Sequence, residues 1–305
     1  MIGIKQIGCY IPEGRTSNLD RTEKFNTNKE FIEGKIGITE VSVKGEDEDT
    51  SDLAIKAVRD LLSKGYVDLQ AIDCLILVTQ NPDQNIPHTS AVVHGELEIN
   101  EDCACFDISL GCSGYVYGLS VVKSMMESNG WHTGLLVTSD PYSKILDPDD
   151  KNTSLLFGDA ATATLLVDKD PVFVPQKFTF GTIGKDRRNL VCDEFLYMNG
   201  RGIFNFAAKY VPKDIDKVLE KNGLTMEEVD RFIFHQGSKF IVDTLIKHMS
   251  LPVEKVSYEI HNYGNTVSSS IPLILSGYLT GDQPQNVLLC GFGVGLSWSS
   301  CILKR

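Results

Sequence analysis

The chain has 305 residues, with 29 Lys+Arg against 41 Asp+Glu, a formal net charge of −12 at pH 7. Its 42% hydrophobic and 23% charged content describes a folded globular protein. So acidic a chain lacks the electrostatic footprint of a nucleic-acid or anionic-membrane binder. No apolar run approaches the roughly 18 residues of a membrane span. The N-terminal Met1-Ile-Gly-Ile-Lys has no basic-then-apolar export signal, and the eight cysteines include no CxxC pair of zinc-binding type. The expected setting is cytoplasmic, with reduced thiols and no metal, and the length allows two fused halves.

In chain order, the first clear element is a helix over residues 51–63. Asp49, Thr50 and Ser51 offer caps, and Leu53, Ala54, Ala57, Val58, Leu61 and Leu62 repeat at helical spacing. Residues 74–79 form a continuous apolar run, as in a strand buried on both faces, and residues 134–138 and 286–290 read the same way. Residues 106–119 pass from a strand through a tight turn into a helix, with Gly111, Ser113 and Gly114 crowding around Cys112. This alternation predicts an α/β fold. Two internal similarities extend it: residues 60–80 resemble 217–236, and residues 157–167 resemble 292–303. Two duplicated halves are expected, 1–170 and 171–305, with their strand ends facing a shared cleft.

Three segments could carry chemistry. A cysteine opening a helix sees the positive end of the dipole, which lowers its pKa and favours the thiolate, so Cys112 is a candidate nucleophile. Its other reading is a buried structural thiol. His235 ends a predicted strand, where it could exchange protons in a cleft or serve as a satisfied core histidine. The remaining histidines sit in polar loop or helix contexts. Asn265, in the turn Gly264-Asn265-Thr266, could donate to an oxygen gaining negative charge, or could simply order the turn. None decides alone; their order and contexts together are informative.

In order, the segment 30–40, the Cys112 turn, Phe157-Gly158-Asp159, His235-Gln236, Gly264-Asn265-Thr266 and Phe292-Gly293-Val294-Gly295 resemble the thiolase-like condensing enzymes. The best match among these is the β-ketoacyl-acyl-carrier-protein synthase III family. The resemblance implies a thiolase-like five-layer αβαβα fold of two duplicated halves, usually a homodimer. It makes Cys112 the acyl-accepting nucleophile, and His235 and Asn265 the pair that serves decarboxylation and condensation. It places an oxyanion hole at the backbone N–H groups of Cys112 and Val294. Acyl-coenzyme A or acyl-carrier protein would be substrates, acyl-carrier protein a partner, and no cofactor is implied. The reaction implied is acyl loading on Cys112, then decarboxylative Claisen condensation with malonyl-acyl-carrier protein in fatty acid or related synthesis. Alternatives are transfer of the acyl group to a hydroxyl or amine, and a non-catalytic subunit of the same fold.

The chain also departs from the family pattern. Phe31 stands in place of a Trp, Lys35 and Lys151 in place of Arg, and Phe240, beside Lys239, in place of an Arg. With Phe157, these are the expected substrate- and carrier-binding residues. Ile86 falls where the family has a bulky residue reaching across the dimer to the acyl pocket. A lysine is a point charge without the planar fork of a guanidinium. The expectation is therefore a mouth better suited to acyl-carrier protein than to acyl-coenzyme A, with Lys35, Lys151 and Lys239 as its basic surface.

Overall fold

The computed structural model describes residues 1–281 and 284–305. The chain opens with strand β1 (Gly3–Tyr10), then a hairpin-like pair, β2 (Gly14–Ser17) and β3 (Glu40–Val43). Helix α1 (Thr50–Ser63) starts at a capping box: Asp49 accepts from the Thr50 N–H at 2.7 Å, and Asp52 accepts from the Asp49 N–H at 2.8 Å. The run at residue 74 is β4 (Cys74–Val78), buried at every position, followed by α2 (Thr89–Glu96), β5 (Ala104–Ile108) and α3 (Gly114–Asn129). Strand β6 (Thr133–Ser139), the short α4 (Lys151–Ser154) and β7 (Ala161–Val167) complete the first sheet and its connections. Then come β8 (Val174–Thr182), the small pair β9 (Leu190–Cys192) and β10 (Leu196–Met198), and α5 (Gly200–Asn222). The chain ends with β11 (Arg231–Phe234), α6 (Lys239–His248), α7 (Ser270–Ser276), β12 (Asn286–Gly293) and β13 (Ser297–Lys304).

The two larger sheets repeat one pattern. The first has the order β1-β7-β6-β4-β5 and the second β8-β13-β12-β11. In both, each of the first three strands runs antiparallel to its neighbour, and the third and fourth are parallel. An isolated parallel bridge from Phe232 to Val256 stands where the first sheet has β5. Strand β4 thus corresponds to β11, β6 to β12 and β7 to β13; the first and last of these pairings are the ones suggested by the internal sequence similarities.

Helices fill the space around the sheets according to which faces are apolar. Helices α1 and α2 cover the outer face of the first sheet, and α5 covers that of the second with α6 packed against it. Helices α3 and α7 lie between the sheets, α3 touching β4 and β6 on one side and β12 and β13 on the other. The order is αβαβα, five layers. The middle layer carries a continuous core that includes Tyr115, Val116 and Leu119 of α3, Ile271 and Ile274 of α7, and Ile76 and Leu289 from the facing sheets. Tyr115 has no exposed surface, and its hydroxyl bonds Thr164 Oγ1 at 3.2 Å. Tyr115→Ala should destabilise the protein by about 3–5 kcal/mol and Tyr115→Phe by about 1 kcal/mol, read from urea midpoints. Equal midpoints for the two variants would show that the hydroxyl, not the ring, holds the layers.

Candidate active site

The Cys112 turn connects β5 to α3, whose N-cap is Ser113. It fits because β12 presents glycines to it. A Cβ on Gly291 would lie 2.8 Å from the Cys112 carbonyl oxygen, and one on Gly293 would lie 2.7 Å from the Cys112 sulfur. This close approach lets the Val294 backbone N–H donate to the sulfur, alongside the N–H of Cys112 itself. Burial acts on the thiol against the expected pull of the dipole. Cys112 is 4% exposed, and burial pushes its pKa up to about 12. The Val294 N–H bond pulls it back, while the charge of Asp140 adds to the rise. Desolvation, which penalises the charged form, is the largest of these influences on the thiol.

His235 follows β11, with its N–H on the Cys290 carbonyl at 2.8 Å, and it is 3% exposed. Burial drives its pKa down to about 3, opposed by the Val267 carbonyl, so the ring is neutral at physiological pH. Its Nδ1 lies 2.8 Å from Ser270 Oγ, which is also 3.1 Å from the Val267 carbonyl oxygen. When the serine donates to Nδ1, Nε2 carries the ring proton; when it donates to Val267, Nδ1 does.

Asn265 is held by its backbone against Phe157: its N–H donates to Leu156 O at 2.8 Å, and the Gly158 N–H donates to Asn265 O at 3.0 Å. Val267, with φ of 53°, occupies a left-handed conformation that β-branched residues rarely adopt. There its N–H donates to Asn265 Oδ1 at 2.9 Å. The oxygen is thereby occupied, and the amide nitrogen, with no partner among the described residues, is left to donate.

Cys112, His235, Asn265 and Phe157 line one cavity of about 520 Å³. Leu156, Leu190, Met198 and Ile203 give it an apolar wall, and Phe31, Lys35, Lys151 and Phe240 line it nearer the surface. The Lys151 ammonium sits 4.7 Å from the Phe31 ring centroid, and Lys35 lies 5.7 Å from Phe31 and 5.5 Å from Phe240. Two expected residues are not part of it. Lys239 does not line the cavity, because its ammonium is taken by Asp243 one helical turn on. Ile86 is 86% exposed and does not reach the cavity of its own chain.

Arg201 was missed. It lies at the start of α5 between Gly200 and Gly202, lines the cavity, and makes no hydrogen bond or ion pair among the described residues. Its signal was a cation flanked by glycines just after the N-cap Asn199, whose side chain accepts from the Gly202 N–H at 3.1 Å. The mouth therefore does have a guanidinium, which removes the premise for expecting a carrier-protein preference. Phe240, where a cation was expected, stacks its ring on Phe204 at 5.0 Å.

Sequence profiles add a decisive observation. The profile described as 3-oxoacyl-(acyl-carrier-protein) synthase III matches residues 106–182, and that of its C-terminal part matches residues 219–305. The β-ketoacyl-acyl-carrier-protein synthase III of Neisseria gonorrhoeae is 32% identical over 314 residues, covering 99% of this chain and 98% of the relative.

The chain belongs to the β-ketoacyl-acyl-carrier-protein synthase III family.

The Bacillus pumilus synthase III is 34% identical over 307 residues, with the same coverage. A crystal structure of the Thermus thermophilus synthase III superposes with a TM-score of 0.92 at 33% identity, over 99% of each chain. The five-layer architecture is thus the thiolase-like fold of this family. Among the described residues, no helix is long and apolar enough to cross a membrane, and no cluster of three or more His, Cys, Asp or Glu could hold a metal ion.

The state of His235 can be tested by acid stability. Its folded pKa is depressed, so it contributes stability that is present above the ordinary histidine value of 6.5 and is lost as pH falls toward about 3. Asp140, raised to about 7 by burial, acts oppositely between its ordinary 3.8 and 7, which flattens the profile of the parent protein. Against that background, His235→Gln should remove one proton's worth of acid destabilisation between pH 6.5 and 3, measured by urea unfolding across that range. Parallel profiles for parent and variant would mean that His235 titrates normally in the fold.

Proposed function

We propose that this synthase III family member loads an acyl group from acyl-coenzyme A onto Cys112 and condenses it with malonyl-acyl-carrier protein. The observation that carries the reading is that Cys112, His235 and Asn265 line one cavity, with Gly293 packed against the Cys112 sulfur so that the Val294 N–H stands beside it. Such a donor stabilises the negative oxygen that forms when a thiolate adds to a thioester. In the first half-reaction, sulfur bonds to the acyl carbon, the Cys112 and Val294 N–H groups hold the oxyanion, and the donor thiol departs with the proton that Cys112 gives up. In the second, the malonyl thioester oxygen accepts from Asn265 Nδ2 and His235 Nε2 while carbon dioxide leaves. The enolate carbon then attacks the acyl-Cys112 carbonyl, and the Cys112 thiolate is expelled.

A histidine whose pKa lies near 3 is a poor general base at neutral pH but a sound neutral donor. Transfer to a hydroxyl or amine needs a base to remove a proton, whereas decarboxylation needs only charge stabilisation. The site therefore favours condensation over that alternative. A non-catalytic scaffold would have no use for the left-handed Val267 that aims Asn265.

Residues 1–170 and 171–305 are proposed as the two halves, each contributing part of the site. A second copy is proposed to cover β5, an edge strand only half-buried along its length; Ile86, in the connection from β4 to α2, is exposed as well. An uncovered edge of this kind is a pairing site, and symmetric dimers are the commonest assembly.

Intact-protein mass should rise by one acyl group when the protein meets acyl-coenzyme A, and Cys112→Ala should abolish that rise. His235→Ala and Asn265→Ala should still load but lose malonyl decarboxylation by a factor of about 10² or more. Normal carbon dioxide release from both would exclude this division of roles. At the mouth, Arg201→Ala should raise KM for acyl-coenzyme A about tenfold with kcat little changed, the scale of one charge-assisted contact. An unchanged KM would place the phosphates elsewhere.

A further inference from the structure

The loop that carries Asn265 is tied down by three consecutive serines, each to a different anchor. Ser270 serves His235, as described above. Ser269 Oγ lies 2.7 Å from Thr138 Oγ1 and 3.2 Å from the Ala160 carbonyl oxygen. Ser268 Oγ donates to Asp140 Oδ2 at 2.8 Å. Asp140 follows β6 in the first half and has no exposed surface. Its other oxygen accepts the Gln80 N–H at 2.8 Å and lies 3.3 Å from Thr79 Oγ1, both at the tip of β4. Gln80 reaches the nucleophile turn in its own right: a Cβ on Gly111 would fall 2.6 Å from Gln80 Oε1, which accepts from the Tyr142 hydroxyl at 3.3 Å.

We propose that Asp140 is a positioning residue, clamping the Asn265 loop to the tip of β4 beneath the Cys112 turn, so that one carboxyl group sets the donors of the second half-reaction and the surroundings of the nucleophile. The assignment of half-reactions rests on the condensing-enzyme reading above. The link to Cys112 is also electrostatic. The titratable groups that feel the carboxylate are Cys112 and Tyr142, and its charge raises both. The remaining groups packed on it are neutral: Thr79, Gln80 and Asn81 from the β4 tip and Ser268 from the loop. The neighbouring cation, Lys144, is bound to Asp49 and to the Asn81 and Pro82 carbonyls, not to Asp140. Among the described residues no cation contacts the carboxylate, so its effect on the thiol is not cancelled locally.

The clamp and the charge can be separated by two variants. Ser268→Ala cuts the loop from Asp140 and leaves the charge. Asp140→Asn removes the charge but keeps an oxygen for the Gln80 N–H and an amide for Ser268. Two readouts are needed: malonyl decarboxylation on the acylated enzyme, and the pH profile of iodoacetamide alkylation at Cys112, resolved from the other thiols by peptide mapping. Ser268→Ala should lower decarboxylation about tenfold, the scale of one hydrogen bond to a charged group, with the alkylation profile unmoved. Asp140→Asn should decarboxylate within about threefold of the parent while its alkylation profile moves to lower pH by about half a unit to one unit, raising the rate at a given pH three- to tenfold. A purely structural Asp140 would depress both readouts together with the melting temperature. Parental decarboxylation by Ser268→Ala, or an unmoved alkylation profile in Asp140→Asn, would overturn the proposal. Failure of the parent itself to release carbon dioxide would instead count against the condensing-enzyme reading, and the alkylation arm would still decide whether Asp140 acts on Cys112.

Discussion

The site depends on one close approach, that of β12 to the turn carrying Cys112. Gly291 and Gly293 bring the backbone of the second half to within side-chain distance of the first, at the Cys112 carbonyl and sulfur. A methyl group at either position would push the halves apart by a few tenths of an ångström or more, and the Val294 N–H would no longer reach the sulfur. Ser113 Oγ and Ser297 Oγ, 2.7 Å apart, fasten the same seam just beyond it. The five layers can be seen as what holds this seam. The central core around α3 and α7 fixes both sheets to one middle layer, so the strand ends meet in a set geometry.

Burial at that seam then determines the chemistry. With Cys112 nearly inaccessible, desolvation keeps the sulfur protonated, and a backbone N–H pair stands ready for an anion that forms only during reaction. Desolvation likewise keeps His235 neutral and Asp140 near the midpoint of its titration at pH 7. A dry site makes each fixed dipole count for more, and it carries the cost of holding polar groups away from water. That cost is met by local bonds: Val267 and Ser270 for the Asn265 and His235 side chains, Gln80 and Ser268 for Asp140. Few of these partners are themselves candidates for touching substrate.

Much of this was legible in the sequence. The capped helix at Asp49, the uniformly apolar β4 and the internal similarities follow from local rules of capping, burial and repetition, whereas the grouping of Cys112, His235 and Asn265 was implied by the family resemblance and not by any local pattern. The ionisation of Cys112 was not legible, because desolvation is a tertiary quantity and the helix dipole is the only part of the balance that a local pattern reveals. Arg201 looked like any solvated cation, since nothing local says that the start of α5 faces a cavity. Lys239 is different: Asp243 stands four residues on, a spacing that predicts an ion pair on a helix face and could have demoted it. Asp140 was silent because its partners come from residues 79–80 and 268, distant in sequence and joined only when the sheets pack.

The duplication gives these residues a common origin in position. The tip of β4 carries Thr79-Gln80 and the matching tip of β11 carries His235-Gln236, so Thr79 and His235 occupy equivalent places in the two halves. One faces Asp140 and belongs to the supporting network; the other faces the cavity. The middle-layer helices divide in the same way. The turn before α3 presents Cys112, and the loop before α7 presents Asn265, so each half offers one polar group at the entrance to its central helix and one at a strand tip. Four equivalent positions would make a symmetric cleft, and a symmetric cleft could not hold an acyl group at one end and decarboxylate a malonyl group at the other. With Thr79 on Asp140 at one tip and His235 on the cavity at the other, the cleft is asymmetric while the strand order on which the seam depends is the same in both sheets.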